Sequence, residues 1–206
     1  MSERRSHAER TAETRARIMS AVVESIAEVG FQRTTAAEIA RRAGVTWGAV
    51  QHHFGGKDGI LKAVLEDSFS RFAARIADIP LEGTPLEKRI VFFLDRAWEH
   101  FSSAHYRSTF QILLHYAATE SDDLEQSWQS EMFAAWNREW HRLFGDAGLR
   151  RRRRVTLQRY TISVLSGLAS VNTLGGPAAS RASEVEFLKD TLVRELAARP
   201  IDGKED

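Results

Sequence analysis

Apolar residues recur every three or four positions along almost the whole chain, which is the spacing of one face of an α-helix. Ile18, Val22, Ile26 and Val29 mark one such face, and Leu61, Leu65, Phe69, Phe72 and Ile76 mark another. The two-residue alternation of half-buried strands is missing. The four prolines sit only where helices can start or stop. The chain is therefore expected to be all-α, with about nine helices.

Punctuation residues place the elements. The first helix is expected from about Thr14 to Val29 and ends at Gly30. The second opens at Thr35, where Thr35-Ala-Ala-Glu38 reads as a capping box, and Gly44 stops it. A third, short helix covers Trp47 to His53 with Thr46 as its N-cap. A fourth, from Asp58 to Ile79, would be a rod about 33 Å long, with no flexible linker after the N-terminal unit. Thr84-Pro85-Leu86-Glu87 restarts a helix with a capping box and an N-terminal proline. Helices at about 106–118, 123–144 and 151–174 follow. The last helix opens at the capping box Ser183-Glu-Val-Glu186.

The stretch from Phe31 to Leu61 carries the functional signal. Two short helices flank Ala43-Gly44-Val45, and Ile39, Ala40, Val45 and Val50 meet across that turn. Ala40 permits close approach, and Gly44 supplies backbone freedom. This is helix-turn-helix architecture, in which the second helix enters the major groove of DNA. Its outer face offers Thr46, Trp47, Gly48, Gln51 and His52. Thr34, Thr35, Arg42, His53 and Lys57 stand around it as hydrogen-bond donors for phosphates. Gly55-Gly56 leads into the N-terminus of the fourth helix, whose free N–H groups and positive dipole end suit a phosphate.

These residues resemble the N-terminal signature of TetR-type (TetR/AcrR) transcriptional regulators. The likeness runs ungapped through Gly30, Phe31, Thr34, Thr35, Ile39, Ala40, Ala43, Gly44, Val45, Gly48, His53, Phe54, Lys57 and Leu61. It implies a homodimer on a pseudo-palindromic operator, repression relieved by a small ligand, and a C-terminal helical bundle. It also implies that the third helix reads bases and that Thr35 and Lys57 hold phosphates, with Thr34 a weaker candidate. Two positions depart from the pattern. Gln51 replaces a tyrosine that usually meets the backbone, so it either holds a phosphate or pairs with adenine. Trp47 replaces a smaller residue, so it either presses on a thymine methyl or sugar, or folds back on the second helix. An activator or ligand-independent regulator of this fold, or a helical ligand carrier, are the alternatives.

Overall charge adds little. Lys and Arg number 29 against 28 Asp and Glu, a net of +1. Residues 1–60 hold nine basic against seven acidic residues, and the remainder twenty against twenty-one, so the asymmetry does not by itself mark a nucleic-acid binder. The absence of cysteine rules out disulfides and cysteine-ligated metals. The seven histidines form no H-E-x-x-H motif and no i,i+4 pair. His52 and His53 are adjacent, and His100 and His105 flank an expected helix break. With no nucleophile elbow or phosphate-binding glycine loop either, no enzyme, cofactor or metal is expected. No apolar run approaches the ~18 residues of a membrane span, and the N-terminus lacks a signal's apolar core, so a cytoplasmic protein is expected.

In the C-terminal part, Leu124, Trp128, Met132, Trp136, Trp140 and Phe144 are spaced four apart, a stripe that winds round its helix. They are either bundle core or, with other aromatics, the walls of an effector pocket. The pocket candidates are Trp98, Phe101, Phe110, Leu114, Tyr116, Trp128, Met132 and Trp136, with polar tips from His100, His115 and Gln111. Such a pocket would suit a hydrophobic or aromatic effector. Ser163, Ser166, Gly167 and Ser170, with Leu188 and Leu192 on the last helix, are expected at a dimer interface. Arg150 to Arg154 is read as a solvated helix start facing Asp122, Asp123 or Asp146, or as a second nucleic-acid surface. The expected domains are a disordered arm (1–13), a helix-turn-helix domain (14–60, motif about 35–54), a ligand-binding and dimerisation domain (61–199) and a disordered tail (200–206).

Overall fold

The computed structural model describes residues 6–118, 125–174 and 182–197, without the side chains of 117–118, 125–132 and 172–174. Among the described residues every regular element is helical. They are α1 (His7–Val29), α2 (Ala36–Ala43), α3 (Trp47–Phe54), α4 (Lys57–Ala77), α5 (Leu86–Phe101), α6 (Ala104–Ala118), α7 (Glu125–Phe144), α8 (Arg151–Leu174) and α9 (Ala182–Ala197). Single 3-10 turns lie at Phe31–Arg33 and Gly145–Ala147. The all-α expectation holds. No helix is long and apolar enough to cross a membrane among the described residues.

The first helix differs from expectation. It begins at His7, so most of the expected disordered arm is helix; residues 1–5 and the tail 200–206 lie outside the described residues. Ser6 and Glu9 form a reciprocal capping box, in which Ser6 Oγ accepts from the Glu9 N–H and the Glu9 carboxylate accepts from the Ser6 N–H. Apolar periodicity begins only at Ile18, so the exposed, capped first turns carry no such signal.

The expected capping boxes are also corrected. Thr35 caps α2 at the Glu38 N–H, but the Glu38 carboxylate turns to Arg41 and Arg42 instead of reaching back. Pro85, not Thr84, is the N-cap of α5, and no side chain bonds there. Ser183 lies inside α9, which already starts at Ala182. Guanidinium partners offer a carboxylate a stronger, charge-assisted bond than a backbone N–H does.

Contacts divide the chain into two units, Met1–Ser70 with Ala104–Glu120, and Arg71–Ser103 with Ser121–Asp206. In the first, Ile18, Val22 and Ile26 of α1, Ile39 of α2, Val50 of α3, Ile60, Leu61 and Val64 of α4 and Ile112 of α6 are buried. Helix α6 belongs to this unit, which a cut of the sequence after residue 60 does not anticipate. Ser108 Oγ donates to the Val23 carbonyl (3.0 Å) and Gln111 Oε1 accepts from the Phe31 N–H (3.1 Å). The His115 ring lies 4.6 Å from that of Phe31.

In the second unit, Phe93 of α5 meets Trp140 and Phe144 of α7 edge-on at 5.7 and 5.5 Å. Helix α5 packs on α8 and α9, which contribute Leu165, Leu188 and Leu192 to the core. The buried Arg89 of α5 binds the Leu143 carbonyl at the end of α7 (2.6 Å) and grips Asp146 through both carboxylate oxygens (3.0 and 2.6 Å). That guanidinium holds the Asp146 carboxyl below its ordinary range.

Candidate nucleic-acid interface

Helix α3 has only eight residues, and so short a helix depends on its surroundings to persist. Its start is fixed by Thr46, whose hydroxyl accepts from the Ala49 N–H at 3.2 Å. The turn before it closes when the Val45 N–H reaches the Ala40 carbonyl (3.1 Å), with Gly44 left-handed at φ 64°. That conformation is costly for any residue with a side chain. Val50 is fully buried, as is Ile39 on α2. The far end, at Phe54, is followed by a close approach: a Cβ on Gly59 would lie 1.8 Å from the Phe54 carbonyl oxygen, so α4 can pass there only as glycine.

The opposite side of α3 is open. Gly48, Gln51 and His52 are exposed, at i, i+3 and i+4, and therefore share one face. A Cβ on Gly48 would meet only Thr46 Oγ1, at 3.8 Å, so nothing in the protein requires its absence. Thr46 and Thr35 are exposed beside this face, whereas Trp47 and His53 are half-buried on its flanks. His53 and His52 make an edge contact at 5.4 Å.

Two sequence candidates for phosphate contacts fall away. Thr34 is fully buried, and its hydroxyl lies 3.0 Å from both the Gly30 carbonyl and Ser25 Oγ, so it cannot reach a phosphate. Arg42 is engaged by Glu38 (2.5 Å) and by Glu28 of α1 (2.6 Å), so it ties α2 to α1. These arginines pull the Glu38 carboxyl down to about 2, Arg41 first and Arg42 second. Lys57 opens α4 with its ammonium 5.1 Å from the centre of the Phe31 ring.

Arg15 on α1 carried no role in the sequence, yet it bonds the His53 carbonyl (2.5 Å) and covers the Phe54 ring at 4.2 Å. Its only sequence signal is a basic residue one turn before the buried face of α1 starts at Ile18.

The effector-pocket candidates fall in both units. In the second unit, Phe101 and Trp136 are buried, 6.4 Å apart, and Trp136 stacks on Phe72 at 4.6 Å, while Trp98 is half-buried. In the first unit, Phe110 stacks on Tyr106 at 6.0 Å, Leu114 is exposed, and the Tyr116 hydroxyl donates to the Asp58 carbonyl at 3.4 Å. The side chains of Trp128 and Met132 lie outside the described residues.

The dimer candidates divide as well. Leu188 and Leu192 are buried within the protomer and unavailable to a partner. Ser163 and Gly167 of α8 are exposed and Ser166 and Ser170 half-buried. Tyr160 and Val171 of α8 and Phe187 of α9, at 67% exposure, were not anticipated. The arginine run does not face Asp146, which Arg89 holds; Arg153 pairs with Glu195 of α9, and Asp122 and Asp123 lie outside the described residues.

A capped, half-buried helix presented by a tight turn on a second helix defines a helix-turn-helix protein. The comparisons agree. Residues 18–64 match the family model described as bacterial regulatory proteins, tetR family. The HTH-type transcriptional regulator BetI 1 of Chromohalobacter salexigens is 37% identical over 75 residues, covering 33% of this chain and 37% of that one. BetI of Escherichia coli is 44% identical over 57 residues, or 28% of this chain and 29% of its own length. The match thus spans about a third of these curated relatives. A transcriptional regulator from Rhodococcus sp. superposes with a TM-score of 0.66 at 23% identity, over 88% of this chain and 93% of its own. By sequence, residues 18–64 resemble the tetR family of regulators, and most of the chain shares the fold of the solved neighbour.

Proposed function

We propose that the protein is a transcriptional repressor that binds a pseudo-palindromic operator as a homodimer, with α3 as the base-reading helix. The observation that carries this reading is the two-sided character of α3, with Val50 buried and Gly48, Gln51 and His52 open on the other side. A bare Gly48 lets the helix axis lie close to the base edges. Gln51 has the paired donor and acceptor that match adenine in the major groove. Thr35, Thr46, Lys57 and the first N–H groups of α4 surround that face as phosphate ligands. The BetI relatives, which are HTH-type transcriptional regulators, support the reading.

A mobility-shift assay with the DNA flanking the protein's own gene tests it. A retarded complex is expected, with affinity falling steeply with salt as phosphates release counterions. Failure to bind any promoter fragment at low ionic strength would overturn the assignment.

Two copies would meet through the exposed faces of α8 and α9, placing the two α3 helices in successive major grooves about 34–36 Å apart. A small hydrophobic or aromatic effector would favour a dimer state with a different spacing and so release the operator. The aromatic cluster of Phe72, Phe101 and Trp136 supports an effector of that chemistry. No catalytic step is assigned to the protein, and its setting is taken to be the cytoplasm, where the DNA is.

A further inference from the structure

We infer that Arg15 is the positioning residue that aims the recognition helix, acting from α1 through the last turn of α3. This rests on the DNA-reading role proposed for α3. Helix α3 is held at three places. Thr46 fixes its start and Val50 its middle. At the far end Gly55 turns left-handed and its N–H closes the Gln51 carbonyl (2.8 Å), and the carbonyls after it have no partner within the helix. Arg15 Nη1 donates to one of them, the His53 carbonyl, at 2.5 Å, and the same guanidinium lies 4.2 Å above the Phe54 ring. One planar group thus grips backbone and side chain together, and its charge sits at the negative end of the α3 dipole.

The grip comes from a firm base. Arg15 lies two turns inside α1, beyond the reciprocal Ser6–Glu9 cap, so α1 is an ordered helix where Arg15 leaves it. Arg15 is half-buried and committed to the protein, unlike Thr35, which is exposed. An α3 of eight residues is about 12 Å long. A tilt that moves its end by 1 Å is enough to break base-edge hydrogen bonds, whose donor–acceptor distances span only about 2.7–3.2 Å. Phosphate contacts from flexible side chains tolerate the same shift.

The prediction therefore separates specific from non-specific binding. Operator and scrambled duplexes are titrated with full-length wild type, Arg15→Met and Arg15→Lys across a salt series, with the operator selected by wild type from a random pool. For Arg15→Met the ratio of specific to non-specific affinity should fall about tenfold, equivalent to one lost base contact. Its salt slope should stay that of wild type. Arg15→Lys keeps the charge and a carbonyl donor but loses the flat stack, so it should recover part of the ratio. Amide exchange should quicken in the last turn of α3 and not in α5, α8 or α9. An unchanged ratio in both variants overturns the inference. So does a salt slope smaller by about 0.9, which would make Arg15 a phosphate ligand. If wild type itself selects no sequence, the DNA reading fails and takes this inference with it; if wild type selects one and the variants discriminate equally well, only the inference fails.

Discussion

Gln51 concentrates the base-reading hypothesis in one side chain. It is exposed on α3, so its removal leaves the fold intact. Gln51→Ala is expected to weaken operator binding by roughly 10- to 100-fold, the worth of one bidentate base contact, and to leave scrambled DNA unaffected in the same titration. Glu38 makes a different, pH-dependent contribution. Its folded carboxyl titrates at about 2 instead of 4.5, because Arg41 and Arg42 bond the ionised form. A depressed folded value means that the stabilisation is complete above the unfolded value and is lost as pH falls through the folded one. The difference in thermal stability between wild type and Glu38→Gln should therefore close between about pH 4.5 and pH 2. Single residues were legible where local spacing decides, as for Thr46, Gly44 and Val50. Thr34 and Arg42 escape local spacing because part of what holds them, Ser25 and Glu28, meets them only in the fold.

Helices as units were easier to read than their ends. The three- and four-residue apolar period locates the nine described helices, since burial of one face is what the sequence must encode. Caps are local choices among competing bonds, and Glu38 shows how a guanidinium wins that competition. The same competition stabilises the end of α7, where Arg89 takes the Leu143 carbonyl and Asp146 together. Arg89→Met should cost about 1–3 kcal/mol in denaturant unfolding, because a buried carbonyl loses its donor. Asp146→Asn should cost less, since Asp146 is largely exposed and the carbonyl bond survives.

At the scale of the whole molecule, sequence pattern is weakest. Helix α6 joins the N-terminal helices through the Gln111–Phe31 bond, which links positions 80 apart. No periodicity announces such a pairing. Self-association is similarly underdetermined: Leu188 and Leu192 have the apolar spacing of an interface but are spent on the protomer's own core. Phe187 is the apolar side chain that α9 leaves outside. Light scattering at micromolar concentration should report a dimer for wild type and a monomer for Phe187→Glu, with helix content by circular dichroism preserved in both.

The division of labour around α3 has a practical corollary. Val50, Phe54 and the glycine at 59 preserve the scaffold, while positions 48, 51 and 52 are exposed. Those three letters can be rewritten in a combinatorial library without sacrificing foldability. If α3 reads DNA as proposed, members of such a library should differ in which sequences they bind, a starting point for orthogonal gene switches.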